Sequence, residues 1–380
     1  MADIIKAERE KIGFINGLRG IAIVMVVAFH AYRPSIPTFR FGEISMVEYF
    51  LIQPLLTGGW LGVNIFFVLS GFVLFMPFCK REQGDFDARR FLRKRARRLL
   101  PLYYLNALIC LLLLVGQPAF LLHTFLYAFA LFPTPIMFAP SWNPPLWSLG
   151  IEIWYSILFP VLIAIGHAAG IRKTLLCLIC GSAIVHWAGL QLMWDGELRL
   201  NGLSDTLPGR LSDFCIGMLT AHLWVRWPVN PRIADVLSAV GAVLMAGAFI
   251  ASSAWYLGDL PRGAQTVSGL ALASGVACLI LALKSQDTLR QLRQVLEFRP
   301  LQIIGMMCFS IYLWHLLLMH AFTLWLGNTD WVRTETMSIY VMLLLLISAM
   351  SYRFIEFSHI DTRTLFLLPP RIHSKQIKVD

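Results

Sequence analysis

GWLGVNIFFVLSGFVLFMPF, residues 59–78, contains no charged side chain from end to end. A helix rises about 1.5 Å per residue, so a run of this length matches the roughly 30 Å of hydrocarbon in a bilayer. Windows of comparable length and polarity recur at 14–33, 99–115, 146–165, 174–192, 209–225, 233–255, 264–283, 303–327 and 337–357. The composition agrees, with 57% of the 380 residues apolar and 14% charged. Soluble domains carry about a quarter charged residues, so this chain lacks the polar shell of a soluble enzyme. It is too apolar for disorder, and its seven cysteines are too sparse for a disulfide scaffold. The expected fold is an all-α polytopic membrane protein with about ten transmembrane helices.

Basic residues orient those helices, because Lys and Arg collect in cytoplasmic loops. With ten spans and the amino terminus inside, the inner segments hold Lys6, Arg9, Lys11, the run from Lys80 to Arg98, Arg172, Lys173, Arg226, Arg232, the run from Lys284 to Arg299, and the tail. The outer segments hold only Arg33, Arg40, Arg199, Arg210, Arg262 and Arg333. An eleventh apolar stretch, 119–138, carries His123, Pro133 and Pro135 and runs into PSWNPP. Prolines remove helical donors, and a span there would invert everything downstream, so a re-entrant or interfacial segment is expected. Both termini are then cytoplasmic: a short segment 1–13, a membrane domain 14–357 and a tail 358–380. The ten apolar residues Gly20–Phe29 after a basic start are read as a retained span, since no A-x-A cleavage pattern follows. The net charge of +10 is accounted for by topology and the anionic inner leaflet, and implies no nucleic-acid partner. The cysteines, Cys177 and Cys180 included, read as small buried hydrophobes, with no metal-ligand company.

Ionisable side chains inside apolar spans are costly and point to function. Arg19 and His30 stand 11 positions apart, so the helix turns about 1,100° between them and returns to within about 20° of one face, some 16 Å along the axis. Either Arg19 snorkels to the interface and His30 is satisfied by a neighbour, or the pair serves one site. In PPLWSLGIEIWY, Glu152 lies one turn below Ser148 at a depth comparable with His30. It either orients a histidine, as in triad logic, or pairs with Arg210. Arg210 and Asp213 open the sixth span one turn apart, where they can pair with each other. Ser310, Tyr312 and His315 follow in the ninth span. Opposite these, DARRFLRKRARRLLPLYY packs basic residues at the mouth of the third span, with forks suited to phosphate. The small residues Gly58, Gly59, Gly62, Ser70 and Gly71 permit close helix approach or line a narrow cavity.

Together these segments resemble the acyltransferase-3 family of integral-membrane acyltransferases. The Arg-x10-His pattern matches at Arg19 and His30, FFxLSG at Phe66–Gly71, and RxxR with a following proline at Arg95, Arg98 and Pro101. WSLxxE matches at Trp147–Glu152, RLxxFxxG at Arg210, Phe214 and Gly217, YLxH at Tyr312 and His315, and a closing FIE at Phe354–Glu356. Asp213 stands where many relatives have Glu, and Phe357 where a proline is often seen. The resemblance implies transfer of an acyl group, most often acetyl, from cytosolic acyl-CoA to a hydroxyl of a glycan or glycolipid, in the inner (cytoplasmic) membrane. It implies no bound cofactor and no metal. Arg19, Arg95 and Arg98 would hold the CoA phosphates, and His30 would serve as general base or as an acyl-carrying nucleophile. Glu152 would orient His30, while Ser148, Trp147, Arg210, Tyr312 and His315 would shape the acceptor site. Members often carry an extra C-terminal hydrolase-like domain, which a 22-residue tail after Ser358 cannot supply. The membrane domain would therefore act alone or with a separate partner. The rival function is a transporter or flippase of an anionic lipid-linked sugar, which intramembrane charges and glycine-rich helices also suit.

Overall fold

The computed structural model describes residues 13–32, 46, 53–79, 86–113, 143–192, 203–285, 288–326 and 334–357. The 119–138 stretch, the segment through residue 12, the tail from 358, and Arg33, Arg40, Arg199 and Arg333 lie outside the described residues. The helices in chain order are α1 Gly13–Tyr32, α2 Gln53–Thr57, α3 Gly62–Phe75, α4 Ala88–Leu113, α5 Leu146–Ala169, α6 Ile171–Gln191 and α7 Leu207–Arg226. They continue with α8 Pro231–Tyr256, α9 Ala264–Ala282, α10 Arg290–Leu296, α11 Arg299–Met306, α12 Cys308–Leu326 and α13 Thr334–Ser351, which ends in a π-helical turn, Tyr352–Glu356. Among the described residues there is no strand, and nine helical segments are long and apolar enough to cross a membrane. The chain is an all-α, multi-pass membrane protein.

The span expected at 209–225 is α7, which is long enough but too polar to count among those nine. Its position explains the difference. α7 is packed by α3, α5, α6 and α9, and Arg210, Ser212, Asp213, Thr220 and His222 along it are all buried. A helix with protein on every side has no lipid to satisfy, so its surface need not be apolar. α8 shows the converse, with a mean hydropathy of 2.1 and only 17% of its window buried. Val236, Val240 and Val243 there face outward, where lipid replaces a core. Cys177 and Cys180 also lie exposed on α6, so the expectation that they are buried fails for this pair. They belong to an outward apolar face with Leu176 and Ile184.

Two boundaries depart from the sequence reading. The span expected at 99–115 begins eleven residues earlier, at Ala88. Asp87 Oδ1 accepts a 2.9 Å hydrogen bond from the Arg90 backbone N–H, the N-cap geometry that satisfies a helix's first donors. The arginine run is therefore wound into the same helix as the apolar span. The span expected at 303–327 is instead broken at Met307, between α11 and α12. α11 lies against α1 so closely that a Cβ on Gly305 would fall 1.8 Å from the Asn16 carbonyl oxygen.

The tightest crossing in the centre joins α3 to α7. A Cβ on Gly71 would meet the Phe214 carbonyl oxygen at 2.1 Å, and one on Gly217 would meet that of Val68 at 2.0 Å. Both obstacles are backbone, so neither can rotate away. Gly217→Val is expected to lower the thermal unfolding midpoint of the detergent-solubilised protein sharply, since overpacking costs about 1–3 kcal/mol even where side chains can adjust. An unchanged midpoint would show that the two helices can separate freely.

Candidate active site

α1, α3, α4, α5 and α12 enclose a cavity of about 60 Å³, several times the roughly 10–15 Å³ that one water requires. Arg19 enters it from α1, Ser70 and the Phe66 and Phe67 rings from α3, and Arg95 and Arg98 from α4. α5 contributes Ser148 and Glu152, and α12 contributes Cys308 and Tyr312. Arg95 reaches it because the arginine run is helical, which turns positions 95 and 98 inward together at i, i+3 spacing. The break at Met307 matters equally, because it starts α12 at the cavity wall. A helix amino terminus there adds favourable potential for an anion.

The polar contacts are short. Arg95 Nη2 lies 2.6 Å from Glu152 Oε1, and Arg95 Nε donates to Ser156 Oγ at 3.1 Å. Ser70 Oγ donates to the same carboxylate at 3.4 Å. The charged neighbours of Arg19 are Arg98, Glu152 and Arg95. Arg98 lies over the Phe357 ring at 5.3 Å and is also a charged neighbour of Glu356. Ser310 donates to Glu356 Oε1, while Glu356 Oε2 has no hydrogen-bond partner among the described residues. Three guanidiniums therefore converge on a cavity lined by a single carboxylate, with a second carboxylate behind.

About one helical turn along α5 from Glu152, Ser148 Oγ and Tyr312 Oη share a 2.7 Å hydrogen bond. Behind Tyr312, its ring centroid 5.5 Å away, lies His315. The His315 ring in turn meets that of His30 at 5.1 Å and 61°. Neither histidine lines the cavity, whereas Tyr312 does, with its ring against that of His315. Each imidazole has its Nδ1 against a carbonyl of its own helix, His30 on Val26 at 2.9 Å and His315 on Tyr312 at 2.7 Å. A carbonyl only accepts, so in both rings Nδ1 carries a proton.

The structure thus brings Arg19, Arg95, Arg98, Glu152, Ser148 and Tyr312 around one cavity, and His30 with His315 beside it. It does not bring Glu152 to His30. The carboxylate is taken by Arg95 and Ser70, because a guanidinium is the strongest partner in reach. Nor does Arg210 pair with Glu152 or Asp213: its Nη2 is 2.6 Å from Asp205 Oδ1, while Asp213 accepts from Asn64 at 3.0 Å. Trp147 also leaves the main cavity. Successive helical residues point about 100° apart, so next to Ser148 it turns toward Arg210, whose guanidinium lies 5.7 Å from its ring. Arg210, Asp213, Asn64 and His186 line a second, smaller cavity of about 10 Å³.

Several supporting residues were not singled out from sequence. Asn143, from the PSWNPP motif, and Asn106 in α4 both donate to the Leu313 carbonyl at 2.9 Å. Asn143 also bonds Asn106 Oδ1 at 2.7 Å, and Tyr340 donates to the His315 carbonyl at 3.1 Å. An asparagine inside an apolar run, as in LYYLNALICLLL, is the signal that marks Asn106.

No group of three or more metal-ligating side chains occurs among the described residues. The acyltransferase domain profile matches residues 12–353. The chain is 27% identical over 364 residues to the O-acetyltransferase OatA of Staphylococcus aureus strain NCTC 8325, covering 86% of this chain and 57% of that protein. It is 25% identical over 335 residues to the peptidoglycan O-acetyltransferase OatA of Listeria monocytogenes, covering 81% and 49%. The chain spans about half the length of these curated relatives. No solved structure matches it. The match along nearly its whole length places the chain in the acyltransferase-3 family of membrane acyltransferase domains.

Proposed function

We propose that the protein is a membrane-embedded O-acyltransferase that moves an acyl group, acetyl in the first instance, from cytosolic acyl-CoA to a hydroxyl of a cell-envelope glycan. The observation that carries this reading is the cavity itself. Arg19, Arg95 and Arg98 and the amino terminus of α12 meet at one cavity, and one ring beyond Tyr312 lies a pair of histidines. A donor that is polyanionic at one end and reactive at the other suits this arrangement. The curated relatives are named for O-acetylation, and one of them for peptidoglycan, which supports a glycan as the acceptor class. With the arginine run placed in the cytoplasm by the positive-inside rule, the donor enters from within, across the cytoplasmic membrane.

In the proposed reaction the CoA phosphates rest among the arginines and the thioester arm extends along the cavity. The Tyr312 ring, held by Ser148, closes the far end and must turn aside for the thioester to reach His30. His30 Nε2 takes the proton of the acceptor hydroxyl as the oxygen attacks the thioester carbonyl. The carbon–sulfur bond then breaks, and the departing thiolate takes that proton to leave as CoA thiol. Glu152 balances the arginine charge in this scheme and does not orient the base.

The test is incubation of the purified full chain with acetyl-labelled acetyl-CoA and a β-linked N-acetylhexosamine oligosaccharide. Label should appear as alkali-labile ester on the glycan. A transporter or flippase of a lipid-linked sugar would transfer none, and that outcome would overturn the reading.

A further inference from the structure

We propose that the second cavity is an anchoring subsite for the acceptor glycan, and that it takes one of the sugar's non-reacting hydroxyl groups. The proposal rests on the reaction described above and names where its acceptor is held. Asn64 of α3, His186 of α6, Arg210 and Asp213 of α7, and Gln265 and Thr266 of α9 line this cavity. Asn64 lies near the start of α3, Arg210 and Asp213 in the first two turns of α7, and Gln265 and Thr266 in the first turn of α9. His186 lies near the end of α6. The far end of α3 leads into the arginine run that opens α4, so the cavity gathers at the membrane face opposite that run. With the run in the cytoplasm, this is the outer side, where a cell-envelope glycan is met. Gln265 lines the cavity and is itself partly exposed.

The side chains of this site hold one another, and two polar atoms are left over. Asn64 Nδ2 donates to Asp213 Oδ2 at 3.0 Å, and Arg210 Nη2 lies 2.6 Å from Asp205 Oδ1 with its guanidinium 5.7 Å from the Trp147 ring. His186 Nδ1 is 2.8 Å from Thr266 Oγ1. Arg210 Nε and His186 Nε2 have no hydrogen-bond partner among the described residues, although these residues are only 7% and 4% exposed. A polar atom buried without a partner keeps its full desolvation cost, which a ligand group entering the cavity removes. That group must accept from Arg210, since a guanidinium N–H only donates. At His186 either role is open, because the Thr266 hydroxyl can donate to Nδ1 or accept from it. A hydroxyl meets both demands. Charge selects a neutral group as well, since Asp213 repels an anion and Arg210 a cation. The cavity volume of about 10 Å³ is close to the room that a single water needs, so the site takes one hydroxyl and not a sugar ring.

The test compares His186→Leu with the unaltered chain, using acetyl-CoA and the same N-acetylhexosamine oligosaccharide. Leucine keeps much of the volume and removes both ring nitrogens. The KM for the oligosaccharide should rise at least about tenfold, while kcat and the KM for acetyl-CoA stay within about threefold, because a group remote from the reacting atoms contributes uniform binding. Thr266→Val, which frees the His186 ring without changing its chemistry, should move the same constant in the same direction and guards against a folding defect in the first variant. A second arm separates an acceptor hydroxyl from a water, which has the same chemistry. Oligosaccharides with single hydroxyls replaced by hydrogen are offered in turn to the unaltered chain. One of them should lose at least about tenfold in kcat/KM, as a site built to bond a hydroxyl rejects the analogue without it, and His186→Leu should abolish that difference. Loss of the hydroxyl that is acylated would persist in the variant and is recognised by this. An unchanged acceptor KM in both folded variants, or no analogue whose loss depends on His186, would show that the cavity holds a structural water only and would overturn the site while leaving the transfer reaction standing. Absence of any transfer by the unaltered chain would instead overturn the reaction itself, and the site with it.

Discussion

His30→Ala is expected to abolish acyl transfer while leaving the protein folded. The residue sits near the end of α1, is only partly buried, and bonds the Val26 carbonyl one turn back along its own helix. Truncation there removes little packing, so the thermal midpoint in detergent should move slightly. Turnover, by contrast, loses its base, and a positioned general base contributes about 10²–10⁴-fold. The measurement is single-turnover transfer from labelled acetyl-CoA by variant and unaltered chain at matched protein concentration. A variant that transfers within about threefold of normal would remove His30 from the mechanism. Quenching during the first turnover separates two chemistries as well: label retained on the unaltered protein indicates an acyl-histidine, and label found only on glycan indicates a base.

Glu152→Ala should cause the largest loss of stability of any change at the cavity. It leaves Arg95 without its 2.6 Å partner, in side chains only 11% and 18% exposed, and removes the carboxylate that Arg19 and Arg98 also face. Removing one member of a buried pair costs about 3–5 kcal/mol, because the remaining ion keeps its desolvation penalty. Converting both partners, Arg95→Met with Glu152→Met, should restore much of that stability, since a well-packed apolar pair often replaces a buried ion pair at little cost. Activity should not return with it, because the cavity then has one guanidinium fewer for its donor. Thermal unfolding of the two single variants and the double variant forms the cycle that checks this. If Glu152 oriented His30 instead, Glu152→Ala would lower kcat with little change in stability.

The fold was legible wherever the chain meets lipid. Spans such as α3 and α8 announce themselves because hydrocarbon demands apolar side chains along their whole length. Legibility declined with distance from lipid. α7 was found despite Arg210 and Asp213, but its central position could not be read, since hydropathy does not tell a protein neighbour from an interface. The start of α4 was missed because a run of arginines reads as a loop until the cap at Asp87 is noticed. At the site, helical geometry alone put Arg19 and His30 on one face and Ser148 one turn from Glu152. Partners across helices were another matter. Glu152 with Arg95, Asp213 with Asn64, and His30 with His315 are set by packing angles that one sequence does not contain.

The polarity of α7 bears on how the protein is made. A charge at the middle of a lone segment costs about 2.5–3.5 kcal/mol to partition from the translocon into lipid, and Arg210 and Asp213, in the first two turns of α7, carry a smaller part of that cost. Arg210 finds Asp205 five residues back in its own stretch of chain, whereas Asp213 finds Asn64 only once α3 is beside it. Nascent α7 is therefore expected to enter the membrane beside α3, which is synthesised first and supplies Asn64.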